Sequence, residues 1–168
     1  MYDIDLILTL WDRTEGHAIY NSQIVPKILQ FVNYPCRVVV QIDQPTERNL
    51  QILNNLKNEG KIHEIHVANH PCDHRPIDIN NIYMQAFSHI KNKWVVHMDG
   101  DMLFYRRGHD NWLEKFIQII EQKKHNIGAI CHSAPSRNDD WTFRKIFKIF
   151  MKLEWVSTRF FVTEADTV

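Results

Sequence analysis

The feature that most constrains this chain is an alternation of short β-branched, apolar runs with longer stretches whose apolar residues recur at helical spacing. Asp5-Leu6-Ile7-Leu8-Thr9-Leu10 predicts a first strand, and Ile24, Val25, Ile28, Leu29 and Val32 predict a helix from Ala18 to Val32. Arg37 to Ile42 predicts a second strand, broken at Asp43-Gln44-Pro45. Thr46 is suited to cap a helix that carries Leu50, Leu53 and Leu56 and ends at Gly60. A third strand over Ile62 to Val67 and a polar loop from Ala68 to Pro76 precede a helix with Ile79, Ile82, Tyr83, Ala86, Phe87 and Ile90 on one face. Strands and helices alternating at this spacing make βαβ units, hence a mainly parallel sheet covered by helices on both faces.

The fourth run, Lys93-Trp94-Val95-Val96-His97-Met98-Asp99-Gly100-Asp101, ends in two carboxylates separated by one glycine. Residues i and i+2 of a strand point to the same side, so Asp99 and Asp101 can share one cation or one hydroxyl-rich ligand. Two hard oxygen ligands suit Mg²⁺ or Mn²⁺, which keep waters and accept substrate phosphates as further ligands. Gly100 would let a ligand approach the backbone, and the bland alternative is an Asp-Gly turn closing a strand. An EF-hand calcium loop does not fit, because the sixth position from Asp99 is Phe104 rather than glycine and the twelfth is Asp110 rather than glutamate. In parallel sheets ligands bind beyond the carboxyl ends of the strands, where Asp43 and the acidic pair both fall.

With 168 residues, 44% of them hydrophobic and 24% charged, the chain is expected to form one globular domain. A formal net charge of zero speaks against a general nucleic-acid or membrane-surface binder. The N-terminal Met1-Tyr2-Asp3-Ile4-Asp5 is acidic rather than basic, and no apolar run approaches the roughly 18 residues of a spanning helix. Cys36, Cys72 and Cys131 form no Cys-x-x-Cys pair, which points to reduced thiols and a cytoplasmic location. His66, His70, Cys72 and His74 match no zinc spacing and read as a polar loop. Further along, Trp112, Phe116, Ile119 and Ile120 predict a helix, and Ile127 to Cys131 a short strand. Trp141 to Trp155 predicts an amphipathic helix packing an aromatic stripe on the core.

The order of these features resembles the GT-A-type glycosyltransferases, particularly the large family-2-like group that uses nucleotide-sugar donors. The matching segments are Ile7-Leu8-Thr9-Leu10-Trp11-Asp12-Arg13 as first strand and nucleotide loop, Val38-Val39-Val40-Gln41-Ile42-Asp43 as the second strand, and Val95 to Asp101 as the Asp-x-Asp strand. Asn80 to Phe87 resembles the helix leading into that strand. The resemblance implies a single GT-A (Rossmann-like) α/β domain over residues 1–168, with a nucleotide-sugar-binding part in 1–105 and a shorter, incomplete acceptor-side part in 106–168.

By that resemblance Asp43 contacts the nucleobase, Asp99 the ribose or a metal, and Asp101 the Mn²⁺ or Mg²⁺ bound to the donor diphosphate. Thr9, Trp11 and Arg13 would line the base pocket, and Arg75 would approach the diphosphate as a planar guanidinium suited to phosphate oxygens. The implied reaction moves a sugar, from a UDP-sugar by preference, to the hydroxyl of a carbohydrate or other acceptor with inversion. Glu164 or Asp166 would act as the base, with Asp110, Asp139 and Asp140 as other candidates. Two alternatives stand beside it. One is a non-catalytic or truncated module that binds a nucleotide-sugar, a glycan or a partner chain. The other is a nucleotidyltransferase, for which Trp11-Asp12-Arg13-Thr14-Glu15-Gly16 carries only one glycine where a glycine-rich phosphate loop belongs. The sugar, the acceptor and the oligomeric state are not legible in the sequence.

Overall fold

The computed structural model describes residues 3–11, 15–68, 76–100, 110–122, 129–131 and 160–167. The β-branched runs form β1 (Ile4–Trp11), β2 (Arg37–Asp43), β3 (Glu64–Val67), β4 (Trp94–Asp99), β5 (Ala129–Cys131) and β6 (Phe160–Glu164). They join in one six-stranded sheet of order β3-β2-β1-β4-β6-β5. The first four strands are mutually parallel, while β6 runs antiparallel to both β4 and β5.

Among the described residues four helices cover the sheet: α1 (Glu15–Val32), α2 (Glu47–Asn58), α3 (Pro76–Phe87) and α4 (Trp112–Glu121). The alternation of side chains along each strand decides which helix meets which face. Leu6, Leu8, Leu10, Val38, Val40, Ile42, Val96 and Met98 share a core with Ile24, Val25 and Ile28 of α1, Leu53 and Leu56 of α2, and Leu113 and Ile117 of α4. The intervening residues Ile7, Val39, Val95 and Phe161 pack instead with Ala86 and Phe87 of α3. The helices therefore lie on both faces, as the strand–helix alternation predicts.

Helix ends follow the local signals. Thr46 caps α2, its side chain accepting from the Asn49 amide at 3.2 Å, and Gly60 beyond the other end adopts φ +73°, a left-handed conformation natural to glycine. Asn33 takes the corresponding left-handed place after α1, with φ 46°.

The connections set the position of the site. From β1 the chain steps outward through β2 to β3 with α1 and α2 on one face. It then returns through α3 on the other face to place β4 beside β1. The direction of winding thus reverses between β1 and β4, which is where open α/β sheets bind ligands, beyond the carboxyl ends of the strands. At the opposite edge Asp5, fully buried, accepts from Arg37 Nη1 at 2.7 Å, the Lys91 amide at 2.6 Å, and the Asn92 amide and side chain at 2.9 and 2.8 Å. Those bonds satisfy a buried carboxylate and pin the turn before β4 to β1.

The helix expected from Trp112, Phe116, Ile119 and Ile120 forms as α4, with Trp112, Leu113, Ile117 and Ile120 buried and Ile119 exposed. Two expectations are corrected. Phe160–Glu164, where the sequence predicts no strand, inserts between β4 and β5. Its five residues are too few to establish a period on their own. The third strand begins at Glu64, two residues later than Ile62. The helix expected over 141–155 and the loop residues His70, Cys72 and His74 lie outside the described residues.

Candidate functional site

The carboxyl ends of β1, β2 and β4 gather Thr9, Trp11, Asp43 and Asp99. Thr9 stands in register with Asp99 on one side and with Gln41 on the other, and Trp11 stands in register with Asp43. These residues share the face covered by α3, because they alternate with the residues that pack against α1 and α2. Thr9, Asp43 and Asp99 are all buried, at 2%, 1% and 6% exposure, and Trp11 is half-buried.

Asp99 is the centre of the arrangement. Its Oδ1 accepts a short hydrogen bond from the Thr9 hydroxyl, and the Tyr83 hydroxyl reaches both carboxylate oxygens, at 3.2 Å to Oδ1 and 3.0 Å to Oδ2. His97 Nε2 lies 3.2 Å from Thr9 Oγ1 and 3.7 Å from Asp99 Oδ1. A carboxylate held by hydroxyl groups has a fixed orientation, which is what a cation or a sugar diol requires of it.

The surrounding backbone is equally constrained. The Gly100 amide donates to the Thr9 carbonyl at 2.8 Å, and a β-carbon on residue 100 would collide with Leu10 Cδ2. A side chain at position 100 would thus have to displace Leu10 where β4 lies against β1. Asn21 of α1 donates from Nδ2 to the Trp11 carbonyl at 3.1 Å and anchors the end of β1. Just beyond Asp43, Gln44 adopts φ 45°, a left-handed conformation uncommon for a residue with a side chain.

Gln41, 1% exposed and two residues before Asp43, finds no hydrogen-bond partner among the described residues for either end of its amide. A buried amide in that state costs about 1–3 kcal/mol unless something satisfies it.

Arg13, Arg75 and Asp101 lie outside the described residues. Glu164 and Asp166 are placed, and not at this site. Because β6 is antiparallel, Glu164 pairs with Trp94 at the start of β4, and Lys93 Nζ lies 3.3 Å from its carboxylate. Asp166 follows in a 3₁₀ turn, whose first amide, that of Ala165, donates to the Lys93 carbonyl at 2.7 Å. The length of β4 separates this end from Asp99, roughly 16 Å at the strand rise per residue. The direction of β6 thus puts Glu164 and Asp166, the expected base candidates, at the opposite end of β4 from Asp99.

No family model matches the sequence, and no curated protein matches it. Solved structures do match in shape. Residues 1–349 of S. aureus TarS superpose with a TM-score of 0.60 at 13% identity, covering 97% of this chain and 47% of that one. The mannosyltransferase PcManGT from Pyrobaculum calidifontis, in complex with GDP-Man and Mn²⁺, gives 0.60 at 13% identity over 98% of this chain and 46% of its own. Glucosyl-3-phosphoglycerate synthase from Mycobacterium tuberculosis, in complex with UDP, gives 0.58 at 9% identity over 98% and 57%. This is the GT-A fold.

The chain spans about half the length of the GT-A structures it matches. At these identities the likeness concerns the GT-A fold, and the chemistry has to be argued from the residues at the strand ends. Tyr83, His97, Asn21 and Gln41 are the residues of this GT-A site that sequence reading missed. Their common signal is a polar group inside an otherwise apolar strand or helical stripe.

Proposed function

We propose that this chain is the donor-binding portion of a glycosyltransferase that takes its sugar from a nucleotide-diphosphate donor. The observation that carries the reading is the register of Thr9 with Asp99, and of Trp11 with Asp43, at the winding reversal of a GT-A sheet. In that reading residues 1–105 bind the donor and 106–168 begin the acceptor side.

Trp11 and Asp43 are suited to a nucleobase, the indole for stacking and the carboxylate for accepting a ring N–H. The buried Gln41 amide supports a polar ligand at the same edge, since both its donor and its acceptor lack partners among the described residues. Asp99, oriented by Thr9 and Tyr83, offers hard oxygen to a ribose diol or to a divalent cation of the Mn²⁺ or Mg²⁺ type. Asp99 and Asp101 would hold such a metal, which when bound neutralises charge on the departing diphosphate as a Lewis acid. Arg13 and Arg75 remain our candidates for base and phosphate contacts. A uridine donor, inversion at the sugar carbon and a cytoplasmic location are proposals on the same footing. The cytoplasmic location rests on the cysteine usage. Among the described residues no helix is long and apolar enough to cross a membrane.

The test is thermal stability with Mn²⁺ and a panel of UDP, GDP, ADP and CDP, because a ligand that binds only the folded state raises its melting temperature. A metal-dependent rise with one nucleotide, abolished in Asp101→Asn and Asp99→Asn, is expected. No rise with any nucleotide would remove the donor site and with it the transferase reading.

A further inference from the structure

His97 has no role in the chemistry described so far, yet it lies in the site's innermost layer. It is fully buried, on the same strand face as Asp99 and two residues before it. Three rings enclose its imidazole: Tyr83 and Phe87, each edge-on at 85° with centroids 5.4 and 5.2 Å away, and Phe161, tilted at 5.2 Å. A phenyl or alkyl side chain would fill such an aromatic pocket without the cost of desolvating ring nitrogens. The polar atom that distinguishes His97 from those alternatives is Nε2, which faces Thr9 Oγ1 at 3.2 Å.

The protons at Thr9 fix the direction of that contact. A threonine hydroxyl has one proton to donate, and an ionised carboxylate only accepts. Thr9 and Tyr83 each direct a hydroxyl at Asp99, so the Thr9 proton lies on the Asp99 side. The Thr9 oxygen is left with lone pairs for His97, and Nε2 must carry the hydrogen between them. Nε2–H thus donates to Thr9, and Thr9 donates to Asp99, in a chain whose members polarise one another. The enclosing rings keep the imidazole from swinging away, and the occupied lone pair keeps the Thr9 hydroxyl from turning its proton elsewhere.

We propose that His97, as its Nε2–H tautomer, is a positioning residue that locks the Thr9 hydroxyl onto Asp99 and so fixes the carboxylate for the metal–nucleotide group. The inference rests on the donor-binding reading above, and it adds a specific requirement: a hydrogen-bond donor at position 97.

The first test needs no ligand. Long-range proton–nitrogen correlation spectra of the ¹⁵N-labelled chain, with His97 assigned by its loss in His97→Gln, are expected to show hydrogen on Nε2 and none on Nδ1. Hydrogen on Nδ1 alone would reverse the contact and overturn the proposal. The second test measures, by calorimetry with Mn²⁺, binding of the nucleoside diphosphate that binds wild type.

Groups that orient a metal-binding carboxylate typically contribute 10–100-fold to affinity, so His97→Phe and Thr9→Val should each weaken binding by about 10-fold. The double variant should be no weaker than the poorer single one, and His97→Gln, whose amide can donate, should recover part of the loss. If His97→Phe lowers the melting temperature but leaves affinity unchanged, or Gln is no better than Phe, His97 only packs and the proposal fails alone. If wild type binds no nucleoside diphosphate, or Asp99→Asn binds as well as wild type, the donor-binding reading fails and takes this proposal with it.

Discussion

The Tyr83 hydroxyl lies 3.0 Å from Oδ2 and 3.2 Å from Oδ1 of Asp99, so one phenol on α3 bridges both oxygens of the carboxylate that ends β4. Tyr83 also stacks on Phe87 at 6.1 Å and meets His97 edge-on, contacts that a phenylalanine would keep. Tyr83→Phe therefore removes a hydroxyl donor from the Asp99 carboxylate while keeping the ring. Hydrogen bonds to charged groups are worth about 1.5–3 kcal/mol, and the half-buried position of Tyr83 places the expected loss near the lower end. Urea denaturation at neutral pH should show Tyr83→Phe less stable than wild type by about 1–2 kcal/mol. Equal stability would mean that the phenol does not support Asp99.

Gly100→Ala should destabilise through the core rather than through the ligand. The added methyl would run into the Leu10 side chain, which is 1% exposed and would have to shift within the core. Overpacking of this kind costs about 1–3 kcal/mol. Combining Gly100→Ala with Leu10→Val, which shortens the obstructing side chain, should cost less than the sum of the two single changes in thermal denaturation. Strict additivity would show that the two positions do not meet.

The contrast between what the sequence discloses and what it conceals has a physical basis. β1, β2 and β4 are legible because their residues are buried on both faces and read as continuous β-branched runs. Thr46 and Gly60 are legible because capping is a local matter of a few residues. That Asp43 and Asp99 end neighbouring parallel strands follows from topology alone, since parallel strands deliver their carboxyl ends to one edge.

The place of Glu164 was hidden for the complementary reason. Its location depends on whether β6 runs with or against β4, and strand direction is a long-range property that no local pattern encodes. Tyr83, Asn21 and Gln41 were visible as polar atoms on apolar stripes, but which partner each one meets is decided by the packing of separate elements.

Cys36 should resist modification. Burial, and after it the negative charge of Asp5, push its thiol up to about 12, so at pH near 8 almost none of it is the reactive thiolate. Iodoacetamide at that pH should label Cys36 far more slowly in the folded chain than in urea, as read by peptide mass spectrometry. Rapid labelling of the folded chain would show that the thiol is neither shielded nor shifted.

The acid sensitivity of the fold should be traceable to Glu64. Its carboxylate accepts from Lys91 Nζ at 2.7 Å, Arg37 Nη2 at 3.0 Å and His66 Nε2 at 3.2 Å, tying β3 to β2 and to the turn after α3. The Lys91 hydrogen bond first, then Arg37 and His66, hold it well below its ordinary 4.5, at about 2. A carboxylate depressed in the folded state contributes stability that is complete above its unfolded value and disappears as pH falls through its folded value. The window is therefore from about pH 4.5 down to about pH 2. Glu64→Gln should be less stable than wild type at pH 7, by roughly 1 kcal/mol for a partly exposed network. The gap should narrow as pH is lowered through that window, because only wild type has the proton to take up. Urea midpoints of both proteins at pH 7, 5 and 3 would decide it: a gap that stays constant with pH assigns the loss to packing, and one that closes assigns it to the charge.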